Sequence, residues 1–201
     1  MNLSARMIVV LTAVGLISGS FLSVVGLLTK ERIAMNQQLE IQNAISEVLP
    51  STKTSHKVFE DESLTIYESR DENDNPVGFA VYASGTGFQD IITLMYGIDP
   101  SFSKIKALTI LEQKETPGLG AKITDKTSFL RYWEGRNCEQ PLSLRKPAVE
   151  SPGNLAPSEV NAITGATISS EKVLDIVNLS LERLKEIKQK GQLSSEEKNA
   201  T

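Results

Sequence analysis

Two short strings carry the residue types from which chemistry could be built: Glu115-Thr116-Pro117-Gly118-Leu119-Gly120 and Thr164-Gly165-Ala166-Thr167. A hydroxyl in a small-residue turn at a helix entry is a good place for a phosphate. The first-turn N–H groups there have no intrahelical partners, and the positive end of the helix dipole points the same way. The plainer role for Thr167 is that of a capping or turn residue, with Gly165 supplying a backbone angle that other residues avoid. In the first string, two glycines let the backbone approach a flat ring closely. Leu119 offers an apolar face, and the turn amides offer donors to ring carbonyls. The same glycines would also suit a strand-to-helix connection kept for geometry alone.

The remaining reactive residue types are scarce, and this excludes several classes. Cys138 is the only cysteine, so an internal disulfide, a Cys-ligated iron–sulfur cluster and a Cys-rich zinc site are ruled out within this chain. Cys138 reads as an incidental buried or half-buried thiol. His56, the only histidine, belongs at the start of a strand and lacks the neighbours a metal site needs. No dinucleotide-binding fingerprint follows a strand. The formal net charge is −4, and every acidic residue lies beyond the first apolar run. An acidic domain without a basic patch argues against nucleic acid as a partner.

The elements that must position these strings can be read from pattern. Met7 to Leu28 contains no charged side chain and would extend roughly 33 Å as a helix, close to the hydrocarbon thickness of a bilayer. A cleaved signal peptide is the competing reading, but its apolar core is shorter and ends at a small-residue site. Thr29-Lys30-Glu31-Arg32 follows here instead, so residues 1–29 are expected to form an uncleaved anchor. Arg6 stands on one side and Lys30 and Arg32 on the other, so charge does not set the orientation. Ile33, Leu39, Ile41, Ile45, Val48 and Leu49 recur at helical spacing until Pro50, predicting a juxtamembrane helix over 30–50.

Residues 51–190 can bury one sizeable core. Val58-Phe59, Leu64 to Tyr67, Val77 to Tyr82, Ile91 to Tyr96 and Ile105 to Leu111 read as strands separated by turns such as Asp71 to Pro76, which implies a largely antiparallel sheet. A short helix is expected between Asp125 and Trp133, and a long surface loop from Arg136 to Asn161. Val173, Ile176, Val177, Ser180, Leu181, Leu184 and Ile187 mark an amphipathic helix over 169–190, with Ser169 or Ser170 as its cap. Residues 191–201 are polar and read as a disordered tail. The fold class is therefore α+β, with one transmembrane helix, an antiparallel-sheet domain and a C-terminal amphipathic helix.

With both strings in this order behind one membrane helix, the sequence resembles the flavin mononucleotide (FMN)-binding domain of the G subunit of the Rnf ion-translocating electron-transport complex. The C subunit of the sodium-pumping NADH:quinone reductase is similar and stands as the alternative. The likeness covers about Lys57 to Lys188 and includes Gly85-Thr86-Gly87-Phe88 and Met95-Tyr96-Gly97-Ile98-Asp99. It implies that FMN is joined by a phosphoester to the second threonine of the motif, here Thr167, by a separate flavin transferase. By the same likeness Thr164, Gly165, Ala166, Glu115, Thr116, Pro117, Gly118, Leu119, Gly120 and Phe88 would surround the cofactor, with no metal and no catalytic side chain. The family often has Asp three residues before the first Ser or Thr of the motif, where this sequence has Asn161, and Thr164 replaces the commoner Ser.

The implied role is that of an electron-carrier subunit without independent turnover. Its partners would be other membrane and iron–sulfur subunits, and its soluble domain would lie on the extracytoplasmic side of the inner membrane. A membrane-tethered scaffold without cofactor is the rival from another class.

Overall fold

The computed structural model describes residues 2–193. The chain divides into two compact units, Met1–Asn43 and Ala44–Thr201. From Leu3 onward the first unit is helix, the larger part of α1 (Leu3–Val48). Every side chain from Leu3 to Glu40 is exposed, the state expected of a helix whose apolar neighbours are lipids rather than protein. The sequence predicted separate helices meeting near residue 29, whereas α1 runs on without a break. Lys30 to Asn36 contains no glycine or proline, so nothing stops propagation before Pro50.

The second unit is built on a five-stranded antiparallel meander in the order β1 (Thr54–Glu60), β2 (Leu64–Arg70), β3 (Pro76–Thr86), β4 (Ile91–Ile98) and β5 (Ile105–Glu112). The β2–β3 turn is the Asp71–Pro76 segment. There Asp71 Oδ1 accepts from the N–H groups of Asn73 (2.8 Å) and Asn75 (2.9 Å), and Asp74 takes a left-handed φ of 62°. Asn and Asp are chosen in such turns because their short side chains bond the local backbone.

β4 departs from simple alternation: Ile92 through Ile98 are all buried. A strand that reads as one continuous apolar run needs cover on both faces. On one face Leu94, Tyr96 and Ile98 join the main core with Val173, Val177 and Leu184. Gly97 lies on the other face, where a Cβ would meet the Val48 carbonyl oxygen at 2.6 Å. The buried residues Ala44, Ile45, Val48 and Leu49 are thus the second cover, supplied by the final turns of α1.

Helix α2 (Thr167–Gln189) buries every residue of the predicted stripe, together with Leu174. It crosses β3 so closely that a Cβ on Gly85 would stand 2.6 Å from Ile176 Cγ1. Tyr96 Oη and Ser180 Oγ share a hydrogen bond of 3.1 Å inside this contact. Burial pushes the Tyr96 phenol up from its ordinary pKa, which keeps it a neutral donor.

Three connecting segments differ from the sequence reading. In place of the helix expected over 125–133 there is a single 3₁₀ turn, Leu130–Tyr132, preceded by another at Gly120–Thr124. Between them Asp125 Oδ1 accepts from the N–H groups and hydroxyls of both Thr127 and Ser128. That cluster replaces an α-helical turn. The 136–161 loop is pinned by a short parallel pair, β6 (Ser143–Arg145) with β7 (Glu159–Asn161). At the C-terminus Gly191 takes φ 66° and ends α2, as a left-handed glycine past a helix does. Leu193 packs partly on the core, and the rest of the predicted tail, 194–201, lies outside the described residues. His56 lies in β1 as expected, and Cys138 is fully buried, its thiol directed to the Phe102 carbonyl at 3.7 Å.

Candidate functional site

The two strings meet. The Glu115–Gly120 turn leaves β5, the Thr164–Thr167 turn enters α2, and the β3–β4 turn at 87–90 closes over them. Together they line a cleft of about 300 Å³, a size at the lower end of small-molecule sites. Its walls are Phe88, Glu115, Thr116, Leu119, Gly120, Gly165, Ala166, Thr167, Ile168 and Ser169.

Three features of the cleft follow from local geometry. The first is a helix end left open. Ala166 occupies the N-cap position without a side-chain cap bond, and the first helical bond runs from Ser170 N to Ala166 O at 3.0 Å. Among the described residues, the N–H groups of Thr167, Ile168 and Ser169 bond to no acceptor, and the half-buried Thr167 hydroxyl is equally unengaged. Free donors at a helix start, beside a hydroxyl, suit a phosphate. The sequence predicted Ser169 or Ser170 as the cap, but both are buried inside the first turn and bond elsewhere. Ser170 Oγ accepts from Ile163 N and donates to Ala166 O.

The second feature is apolar. Phe88 is 59% exposed, Leu119 52% and Ile168 49%, and in the Ala44–Leu193 part only Ile91 and Leu179 are comparable large hydrophobics. Three of these five exposed side chains therefore gather on one small cleft. An apolar cluster held open to solvent marks a binding surface more than a packing accident.

The third feature is a buried knot. Glu115 is 4% exposed. Its Oε1 accepts from Phe88 N (2.8 Å) and Gln89 N (3.1 Å), and its Oε2 accepts from Ser169 Oγ at 2.7 Å. Gln89 Nε2 adds a bond to Thr116 Oγ1 at 2.9 Å. A Cβ on Gly87 would fall 2.6 Å from Glu115 Oε1, and one on Gly120 2.7 Å from Oε2. Both glycines are needed so that the carboxylate can sit between the turns.

Of the other residues predicted for the site, Pro117 and Gly118 form the exposed crest of their turn. Gly118 has φ 76° and Gly165 φ 83°, angles that favour glycine. Neither Pro117 nor Gly118 lines the cleft, and Thr164 faces a neighbouring cavity of about 580 Å³ instead. Sequence reasoning missed Ile168 and Ser169 as walls and Gln89 as a brace. Ile168 left a signal, being an apolar residue outside the buried stripe of α2. Asn161 is 3% exposed and clasps Val149, accepting from its N–H at 2.8 Å and donating to its carbonyl at 2.9 Å. An amide can do both, whereas an ionised carboxylate can only accept.

Residues 87–182 match the FMN-binding domain family, a span that contains the whole cleft. The G subunit of the ion-translocating oxidoreductase complex of Methanosarcina acetivorans is 28% identical over 187 residues, covering 88% of this chain and 92% of that protein. The G subunit of the Na(+)-translocating ferredoxin:NAD(+) oxidoreductase complex of Acetobacterium woodii is 31% identical over 123 residues, 61% of this chain and 56% of that one. The crystal structure of NqrC from Shewanella oneidensis superposes with a TM-score of 0.53 at 19% identity, over 69% of this chain and 74% of that one, a likeness of fold. The segment 87–182 thus matches the FMN-binding domain family. Over most of its length the chain is similar to the G subunit of an ion-translocating oxidoreductase complex.

Proposed function

We propose that this chain is the membrane-anchored, FMN-carrying electron-transfer subunit of an Rnf-type ion-translocating complex, with the cofactor esterified to Thr167. The observation that carries the reading is the conjunction at one cleft of an open helix end, a free threonine hydroxyl and three exposed apolar side chains. The residues fit FMN by chemistry. The first-turn N–H groups of α2 and the Thr167 hydroxyl suit its phosphate, while Leu119, Phe88 and Ile168 suit a flat apolar ring. The isoalloxazine, when bound, supplies the capacity to take up two electrons and release them singly, which no side chain here possesses.

The chain's own residues hold, orient and shield. The Leu119–Gly120 backbone would border a ring, and Thr116 braced by Gln89 fixes one wall. Esterification suits a carrier facing the outside of the cell, because a covalent bond retains the cofactor whatever its free concentration. A flavin transferase would form the ester, and the neighbouring membrane and iron–sulfur subunits would deliver and remove electrons. Helix α1, long and apolar enough to cross a bilayer, would keep the soluble domain at the extracytoplasmic face of the inner membrane.

The test is to coexpress the chain with a flavin transferase, denature it and view the gel under ultraviolet light. The expected result is a fluorescent band that persists in Thr164→Ala and vanishes in Thr167→Ala. A dark wild-type band would favour a scaffold without cofactor.

A further inference from the structure

Among the residues that line the cleft, Glu115 alone carries a charge. It is also the residue that joins the cleft's three walls: its carboxylate takes two N–H bonds from the 87–90 turn and a hydroxyl bond from the first turn of α2. These partners lie 26, 27 and 54 residues away in sequence, so no local geometry would bring them together. The glycines at 87 and 120 keep both carboxylate oxygens uncrowded.

From this arrangement we propose that Glu115 is the positioning and tuning residue of the site: it sets where the Thr167 turn stands against the other two walls, and its negative charge holds down the reduction potential of the bound flavin. The inference rests on the FMN reading above. Reduction adds negative charge to the isoalloxazine, and a fixed carboxylate in the same low-dielectric wall opposes that charge more strongly than water-exposed groups can. Thr116 and Ser169 are neutral, and the nearest ion pair recorded on these turns, Lys114 with Asp90 at 3.1 Å, lies on exposed side chains where solvent screens it.

Glu115→Gln separates the two parts of the role. The amide oxygen can still accept from Phe88 N and Gln89 N, and the amide nitrogen can donate to Ser169 Oγ, because a hydroxyl both gives and takes. Position is kept and charge is lost. Ser169→Ala does the reverse, keeping the charge and cutting one of the three bonds. The experiment loads full-length wild type and both variants in cells holding a flavin transferase. It follows covalent flavin per protein over time, then titrates the bound flavin with dithionite against reference dyes, with thermal unfolding of each protein as the control for folding.

The expected result is a Glu115→Gln protein that loads as the wild type does and titrates at a more positive potential. Ser169→Ala should load more slowly, by about fivefold for one hydrogen bond of typical net strength, with its potential unchanged. A loaded Glu115→Gln protein with the wild-type potential overturns the tuning role, and a folded one that takes no flavin overturns the account of position. If Glu115→Gln does not fold, Ser169→Ala decides, and wild-type loading kinetics there overturn the proposal. A wild-type protein that never acquires flavin overturns the FMN reading itself, a different failure from any of these.

Discussion

At the scale of single residues, the side chains that matter most are those whose bonding fits only one chemical type. Asn161 gives and takes one hydrogen bond with the Val149 backbone, at 2.9 and 2.8 Å. Asn161→Asp would set a carboxylate oxygen against the Val149 carbonyl in a buried place, at a cost of about 1–3 kcal/mol. Chemical denaturation of the full chain in detergent should show the lower midpoint. Cys138 gives a pH-dependent prediction. Burial pushes its thiol up to about 11 from the ordinary 9.0. The neutral thiol's contribution to stability is therefore fully present below pH 9 and is lost as pH rises through 11. Alkylation should follow, with the native protein resisting iodoacetamide at pH 8 and the unfolded protein reacting; rapid native labelling at pH 8 would contradict the burial. The sequence singled out Thr167 and Leu119 because a hydroxyl at a helix entry and a glycine turn are recognisable types, and Phe88 through the family likeness alone. It did not show the Glu115 knot, since nothing in a linear string says that residues 88, 89 and 169 converge on one carboxylate.

At the scale of elements, the legible parts were those with a period. The stripe from Val173 to Ile187 predicted α2, and the apolar runs predicted all five strands to within a few residues. What failed to register were the three-residue strands β6 and β7, held by pairing distant in sequence, and the short turns around Asp125, held by its local side-chain bonds. Such pieces are too short to repeat a pattern. Two element-level outcomes test the packing. Leu184 is fully buried beneath α2, and Leu184→Ala should cost about 2–5 kcal/mol. Gly97 has no room for a methyl group, since the Val48 carbonyl stands 2.6 Å from where a Cβ would be. Gly97→Ala should therefore displace the last turn of α1 from β4 and cost about 1–3 kcal/mol. Proteolysis near Leu49 in that variant, absent from the wild type, would report the displacement. Equal stability of Gly97→Ala and wild type would show that this contact is slack.

At the scale of the whole molecule, one chain joins an apolar helix to a domain whose cleft suits a cofactor. The long apolar helix was legible because a charge-free run of bilayer length stands out by composition. The continuity of α1 through residue 48 was not, since the sequence changes character at Lys30 while the backbone does not. Residues 7–28 should keep the native protein in the membrane fraction after alkaline carbonate washing, and a chain starting at Lys30 should appear in the wash. The account depends most on whether Thr167 carries the cofactor. The direct measurement is mass spectrometry of the peptide spanning Ala162 to Lys172, from protein made beside a flavin transferase. The account predicts that this peptide carries one FMN through a phosphoester located at Thr167 by fragmentation. An unmodified peptide, or FMN found at Thr164 instead, would contradict it.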